Sequence, residues 1–386
     1  FIQKLNYTDA LHILVTNCFY SFDMTTLNKI SGKIINHDES FFGEITFNEN
    51  ICEIKNYKEA SNEKIIIPGF VDLHCHGGDG FDTMDGVESI KSMANFHLSK
   101  GTTSLLATTW TNNFENTYAA LKDFDFNFKD KNNNLIGVHL EGPFINSNKL
   151  GAQPPLSQEP SIDFVRQIQK IANVRVITIA PEIENIDSLI DYLIKENVKI
   201  QIGHSLADYQ CCKNLIEKNE IGFTHLYNAM SGNDHRKPGV VTAALLHGKY
   251  AEIICDFNHV SPQLIKLASK NIPFLYAITD AISACGKQDG EYKFANIKIE
   301  KKNNKVFIKN TTTLAGSVID MHKTFKNLLN IGYAINDAVA MTSYNASRYL
   351  KLNNIGKIKK NRKANFLILD KNYDIVDIYL NGKKYE

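Results

Sequence analysis

The chain has 386 residues, with 43 Lys and Arg against 42 Asp and Glu, so its formal net charge at pH 7 is +1. No segment concentrates positive charge, which argues against nucleic acid or an anionic membrane surface as a partner. No apolar run approaches the length of a membrane span. The chain has seven cysteines and no CxxC pair, and because seven is odd at least one cysteine would stay unpaired. This argues against a disulfide framework and for a reducing, cytoplasmic location.

Short β-like runs separated by polar turns occupy the first 67 residues: LHILVTN (11–17), GKIIN (32–36), GEITFN (43–48) and ENICEIKN (49–56). Similar runs return near the end of the chain as NFLILD (365–370) and YDIVDIYLNGKK (373–384). The simplest arrangement places the two ends side by side. The sequence therefore predicts a small β-sandwich domain built from residues 1–67 and 353–386.

After Pro68 the pattern changes to short apolar runs that alternate with amphipathic stretches such as 161–172, 186–197, 206–219 and 261–271. There are eight such runs: 70–76, 103–109, 135–141, 174–180, 199–204, 222–225, 252–256 and 275–280. Eight strand–helix units predict an α/β fold, a (β/α)8 TIM-like barrel over residues 68–352. Further helices are predicted at 318–331 and 336–352. The alternative is an open doubly wound sheet, but no GxGxxG motif follows the first strand.

The first of these strands lies in IIIPGFVDLHCHGG (65–78), where His74 and His76 are two residues apart and so point to the same side. Two imidazoles on one face, followed by glycines that allow close backbone approach, suit zinc, iron, manganese or nickel better than calcium. Alone, this pair is as compatible with a polar strand end as with a metal site.

Other metal-binding residue types also fall at strand ends. The complete set is His74, His76, Glu141, His204, His225 and Asp280. In a barrel the carboxyl ends of the strands form one face, where active sites lie. Several imidazoles with carboxylates form a transition-metal site that can activate water, and Asp280 is the expected proton shuttle.

Several motifs in this order resemble the amidohydrolase superfamily, and within it the N-acetylglucosamine-6-phosphate deacetylases: PGFVDLHCHG, GTTSLLATTWT, HLEGPF, IGHS, FTHLYNAM, AITDA and TLAGS. The resemblance covers residues 65 to 350. It implies that Glu141, His204 and His225 are the principal metal ligands and that Asp280 is the catalytic aspartate. His74 and His76 would allow a second ion, so one or two divalent ions (zinc, iron or manganese) are expected.

The resemblance also implies a phosphosugar substrate and a homodimer. Arg236 would reach across the dimer interface and, with His259, hold the sugar phosphate, since a guanidinium offers paired donors to phosphate oxygens. Without the resemblance, a solvated loop charge is the better interpretation of Arg236. The implied substrate-binding residues are Ala152, Asn228, Ala229, Arg236, His259, Leu314, Ala315 and Gly316.

One position departs from the resemblance. Related sequences have a histidine in a Gly-Ala-His-Pro stretch that hydrogen-bonds the acetyl carbonyl, whereas this chain has Gln153. Glutamine can donate an N–H but cannot become cationic, so we expect slower turnover.

The activity that the resemblance implies is deacetylation of N-acetylglucosamine 6-phosphate. The alternatives are its galactosamine epimer, another amidohydrolase such as a cyclic amidase or dipeptidase, or a binding module that has lost catalysis.

Overall fold

The computed structural model describes residues 27–59, 63–124, 133–294 and 297–386. The strand predicted at 11–17 lies outside these ranges. Within them, the chain forms a barrel of alternating strands and helices and a smaller β domain to which both chain ends contribute. The predicted fold class is confirmed, while the exact domain boundaries remain a prediction.

The β domain is a seven-stranded sheet. Asn28–Ile35 pairs antiparallel with Ser40–Phe47 and parallel with Ile65–Pro68, which pairs in turn with Phe366–Leu369 from the other end of the chain. Alternating apolar residues of these strands form a separate core that includes Ile34, Phe47, Ile66 and Phe366. The remaining strands of the sheet are Ile51–Tyr57, Ile375–Leu380 and Lys383–Lys384.

Eight strands of the described chain form the barrel, each close to its predicted position. In chain order, barrel strands 1 to 8 are Phe70–Cys75, Thr102–Thr109, Leu135–Glu141, Val174–Ile179, Lys199–Ile202, Gly222–Phe223, Tyr250–Ile254 and Phe274–Ile278. Strands 1 to 6 form one parallel sheet, and strands 7 and 8 pair with each other. The Leu226 amide donates to the Glu252 carbonyl at 2.9 Å, and the Asp280 amide donates to the His74 carbonyl at 2.8 Å. These two bonds join the sheets and close the barrel.

A helix follows each barrel strand, as the alternating pattern predicts. The eight helices are Val87–Ser99, Phe114–Leu121, Ile162–Gln169, Asp187–Lys195, Tyr209–Lys218, Val240–His247, Pro262–Asn271 and Met321–Asn330. Leu189, Ile190 and Leu193 show the expected spacing and are buried. No helix among the described residues is long and apolar enough to cross a membrane.

Two details differ from the sequence prediction at the C-terminal helices. The helix predicted from residue 318 begins at Met321, because Asp320 caps it by accepting a hydrogen bond from the Lys323 amide. The stretch 336–352 is divided into Ile335–Val339, a π-helical segment Ala340–Tyr344, and Asn345–Tyr349.

A three-stranded antiparallel sheet follows barrel strand 8 and was not predicted from the sequence. Its strands are Gly290–Phe294, Ile297–Lys302 and Lys305–Ile308. Asn303 and Asn304, which join the last two strands, both have positive φ angles, of 51° and 60°. Consecutive asparagines between apolar alternations are a hairpin signal that could have identified this sheet. It leads directly into residues 312–316 at the mouth of the barrel.

Candidate active site

The first barrel strand delivers two buried imidazoles to the carboxyl-end face. The Nε2 atoms of His74 and His76 lie 3.1 Å apart. Asp280, just after strand 8, places Oδ1 3.3 Å from the His76 Nε2 and 3.5 Å from the His74 Nε2. The backbone bond between strands 1 and 8 holds these three residues together, so they form one half-site.

A second half-site is made by Glu141, His204 and His225, at the ends of strands 3, 5 and 6. The Nε2 atoms of His204 and His225 are 3.0 Å apart and lie 3.1 and 2.9 Å from the Glu141 Oε1. The other carboxylate oxygen, Oε2, lies 3.2 Å from the His76 Nε2. Glu141 therefore stands between the two half-sites.

The hydrogen bonds on the far side of the imidazoles indicate what this cluster binds. The Nδ1 atoms of His74, His76 and His204 face the Glu252 carboxylate at 2.8 Å, the Thr108 carbonyl at 3.1 Å and the Lys149 carbonyl at 2.8 Å. Carbonyl and carboxylate oxygens only accept, so each Nδ1 carries a proton and each Nε2 is the ring nitrogen left to bind at the centre. Converging Nε2 atoms backed by oxygen acceptors are typical of a transition-metal site, so these residues fit a metal ion.

Electrostatics within the cluster support ionised carboxylates. Burial opposes the charge on Glu141, but the imidazoles of His74 and His204 hold its pKa well below the usual value. Burial likewise opposes the charge on Asp280, whose pKa is nevertheless lowered by His74 and His76. Both side chains are thus acceptors at neutral pH, as metal binding and proton abstraction require.

Three of these side chains are carried on an unusual backbone. The φ angles of His204, His225 and Asp280 are 48°, 30° and 49°. Positive φ is uncommon for residues other than glycine, and its free-energy cost is of order 1–3 kcal/mol for each residue. Such conformations cluster at functional sites, which supports the assignment of this face as the active site.

Gln153 lies beside Glu141, and both polar atoms of its amide have partners. Its Oε1 accepts a 2.8 Å hydrogen bond from the Thr111 amide, and its Nε2 donates to the Glu141 Oε2. The Thr111 bond fixes the orientation of the amide, because an N–H can only donate. Gln153 therefore directs its N–H groups toward the metal cluster.

A cavity of about 320 Å³ opens above the cluster. Of the predicted substrate-binding residues, its lining includes Ala152, Asn228, Ala229, His259, Leu314 and Gly316. Ala315 is buried rather than lining the cavity, and Arg236 is exposed on the loop after strand 6. The structure thus gathers most of the predicted residues, while their individual roles stay predictions.

The Asp256 carboxylate fixes the imidazole of His259 in this lining. His259 Nδ1 lies 2.8 Å from the Asp256 Oδ2. Burial alone would lower the pKa of His259, but Asp256 raises it above the usual value, which favours the imidazolium. A cation at this position suits an anionic substrate group.

Two residues at the site were missed by sequence reasoning. Trp110, just after strand 2, stacks on the His76 ring with centroids 3.7 Å apart. Glu252, on strand 7, accepts the bond from His74 described above. A charged residue inside the otherwise apolar run AEIIC (251–255) was the available signal for Glu252.

Comparisons with known proteins agree with this geometry. Residues 65–384 match the Amidohydrolase family. The chain is 33% identical to N-acetylglucosamine-6-phosphate deacetylase of Lysinibacillus sphaericus, covering 80% of this chain and 82% of the relative. It is 30% identical to N-acetylgalactosamine-6-phosphate deacetylase of Escherichia coli O157:H7, covering 83% of this chain and 87% of the relative. The crystal structure of N-acetylglucosamine-6-phosphate deacetylase from Thermotoga maritima superposes with a TM-score of 0.86 at 30% identity, covering 92% of this chain and 99% of that one.

Proposed function

Because this chain belongs to the amidohydrolase family, we propose that it hydrolyses the acetamide of N-acetylglucosamine 6-phosphate to glucosamine 6-phosphate and acetate. The observation that carries this proposal is the convergence of four imidazoles and two carboxylates beneath a cavity lined by His259. The imidazoles and carboxylates suit amide hydrolysis, and the cationic His259 suits a phosphorylated substrate.

The metal complement is one or two divalent ions of zinc, iron or manganese. Glu141, His204 and His225 would hold the first ion, and His74, His76 and Asp280 would hold a second with Glu141 shared between them. A metal bound here supplies Lewis acidity, which makes water a stronger nucleophile and polarises the acetamide carbonyl.

Asp280 moves the proton in this reaction. Its ionised carboxylate accepts a proton from the attacking water and later returns it to the amine, since an unprotonated amine is a poor leaving group. The backbone bond from the Asp280 amide to the His74 carbonyl fixes its position. Trp110, stacked on His76, shields one side of the cluster from water.

A second cation beside His259 would strengthen binding of the substrate phosphate. His259 is the cation in the cavity lining, apart from the imidazoles of the metal cluster. Arg236 is exposed on the same face, at a loop after strand 6. In our proposal the enzyme is a homodimer in which Arg236 of each chain completes the phosphate site of the other.

Gln153→His should raise kcat for acetate release. An imidazolium would stabilise the developing negative charge on the acetyl oxygen more strongly than a neutral amide. The gain should be smaller than the roughly 10²- to 10³-fold that a complete oxyanion donor contributes, because Gln153 already offers an N–H. Steady-state kinetics of the wild type and the Gln153→His variant provide the comparison. A slower Gln153→His variant would show that the Gln153 bond to Glu141 matters more than the charge.

The experiment that tests the function is acetate release from two substrates by metal-reconstituted protein. N-acetylglucosamine 6-phosphate should give the higher kcat/KM, and N-acetylgalactosamine 6-phosphate the lower. The reverse order would favour the galactosamine epimer, which the similarity to the Escherichia coli relative supports as the second candidate. Metal uptake without turnover of either sugar would contradict the proposal and favour a binding module.

A further inference from the structure

Glu252 is a buried acidic residue that contacts both half-sites without facing the cavity. It lies on barrel strand 7, its side chain is fully buried, and it is absent from the cavity lining. An ionisable residue of this kind is rarely found in a barrel interior unless it is paired. Its partners therefore indicate its role.

Those partners are residues of the metal cluster. The Glu252 Oε2 lies 2.8 Å from the His74 Nδ1 and accepts a 3.2 Å hydrogen bond from the His225 amide. Its backbone carbonyl accepts from the Leu226 amide at 2.9 Å. Glu252 thus contacts the side chain of a residue in one half-site and the backbone of a residue in the other.

The second carboxylate oxygen, Oε1, has no hydrogen-bond partner among the described residues. Leaving a buried carboxylate oxygen unsatisfied costs free energy, so Glu252 is a poor choice as a purely structural core residue. Its Oε2 instead accepts a hydrogen bond from the His74 Nδ1. The His74 Nε2 is therefore the ring nitrogen left to face His76 and Asp280.

We propose that Glu252 is a positioning residue that holds His74 in its metal-binding tautomer and thereby sets the metal affinity of the half-site formed by His74, His76 and Asp280. This inference rests on the proposed function only in taking the cluster to be a metal site. Glu252 does not line the substrate cavity. It acts through His74 and, by its bond to the His225 amide, stabilises the backbone of His225 at its positive φ angle.

Metal titration of the full chain tests this without any substrate. Metal-free wild type, Glu252→Gln and Glu252→Leu are titrated with Zn²⁺ by calorimetry, and bound metal is counted by mass spectrometry. The Gln variant keeps a carbonyl acceptor and loses only the charge, whereas the Leu variant loses both. We expect affinity for the second ion to fall about tenfold in Glu252→Gln and about 100-fold in Glu252→Leu, the range for loss of an outer partner of a metal-binding histidine.

Tyr276→Phe is the matched control. Tyr276 is buried, is the register partner of Glu252 on the neighbouring strand, and accepts a hydrogen bond from the Gln201 Nε2 at 2.6 Å. Its substitution disturbs a buried polar contact in the same part of the barrel without removing a partner of His74. We expect this variant to bind both ions with wild-type affinity.

A second measurement examines the His74 ring directly. Imidazole ¹⁵N shifts of the Zn²⁺-loaded full chain report which ring nitrogen of His74 binds the ion; in wild type this should be Nε2, with the proton on Nδ1, and the metal-bound Nε2 signal should weaken in Glu252→Leu. The Gln variant serves if the Leu variant fails to fold. Unchanged second-ion affinity in the folded variants, or a wild type that takes up only one ion, would overturn the proposal. If the effects on second-ion affinity and on His74 are observed but no acetate is released, only the proposed function is contradicted.

Discussion

Asp280→Asn should lower kcat for acetate release by about 10²- to 10⁴-fold, the range attributed to a general acid–base residue. The amide is nearly the same size as the carboxylate but cannot accept the proton from water or return it to the amine. Because Asp280 is fixed by its backbone bond to strand 1, the variant should keep its fold. The measurement is kcat and KM with N-acetylglucosamine 6-phosphate, together with thermal melting.

The control for this substitution is Asp320→Asn. Asp320 caps the helix Met321–Asn330 and lies outside the cavity lining, and asparagine caps helices about as well as aspartate. We expect its kinetics to match wild type. An Asp280→Asn enzyme within tenfold of wild type, with metal bound, would refute the assignment of Asp280 as the proton shuttle.

Glu141→Gln should abolish activity by weakening metal binding. Glu141 stands between the half-sites and faces the Nε2 atoms of His76, His204 and His225. Loss of a residue that only hydrogen-bonds a metal ligand weakens metal binding about 10- to 100-fold. Loss of the Glu141 charge, which lies within the cluster itself, should therefore weaken metal binding by at least about 100-fold. Metal content after dialysis and acetate release both report the result.

The exposed Glu220 provides the matched substitution. Its carboxylate pairs with Lys199 and, at 3.8 Å, with Lys249, and surface ion pairs contribute only about 0–1 kcal/mol. Glu220→Gln should retain metal and activity. Removal of metal from wild type with a chelator should reproduce the Glu141→Gln loss, and added Zn²⁺, Fe²⁺ or Mn²⁺ should restore wild type but not the variant. A metal-loaded, active Glu141→Gln enzyme would contradict the proposed ligand set.

The local pattern of apolar and polar residues predicted the barrel correctly. Each barrel strand lies within a few residues of its predicted position, because a strand buried on both faces needs a short apolar run and the crossover helix needs amphipathic spacing. The three-stranded sheet after strand 8 was missed because its hairpin signal, Asn303 and Asn304, was not used.

The sequence alone therefore determined which residue types stand at the strand ends, since chain order and strand period place His74, His76, Glu141, His204, His225 and Asp280 on one face. Only the tertiary structure decided how they are oriented. The bond between Gln153 and Glu141, and that between Glu252 and His74, join residues 12 and 178 positions apart. Such contacts arise when the barrel closes and brings distant strands together, and no local pattern in the sequence encodes them.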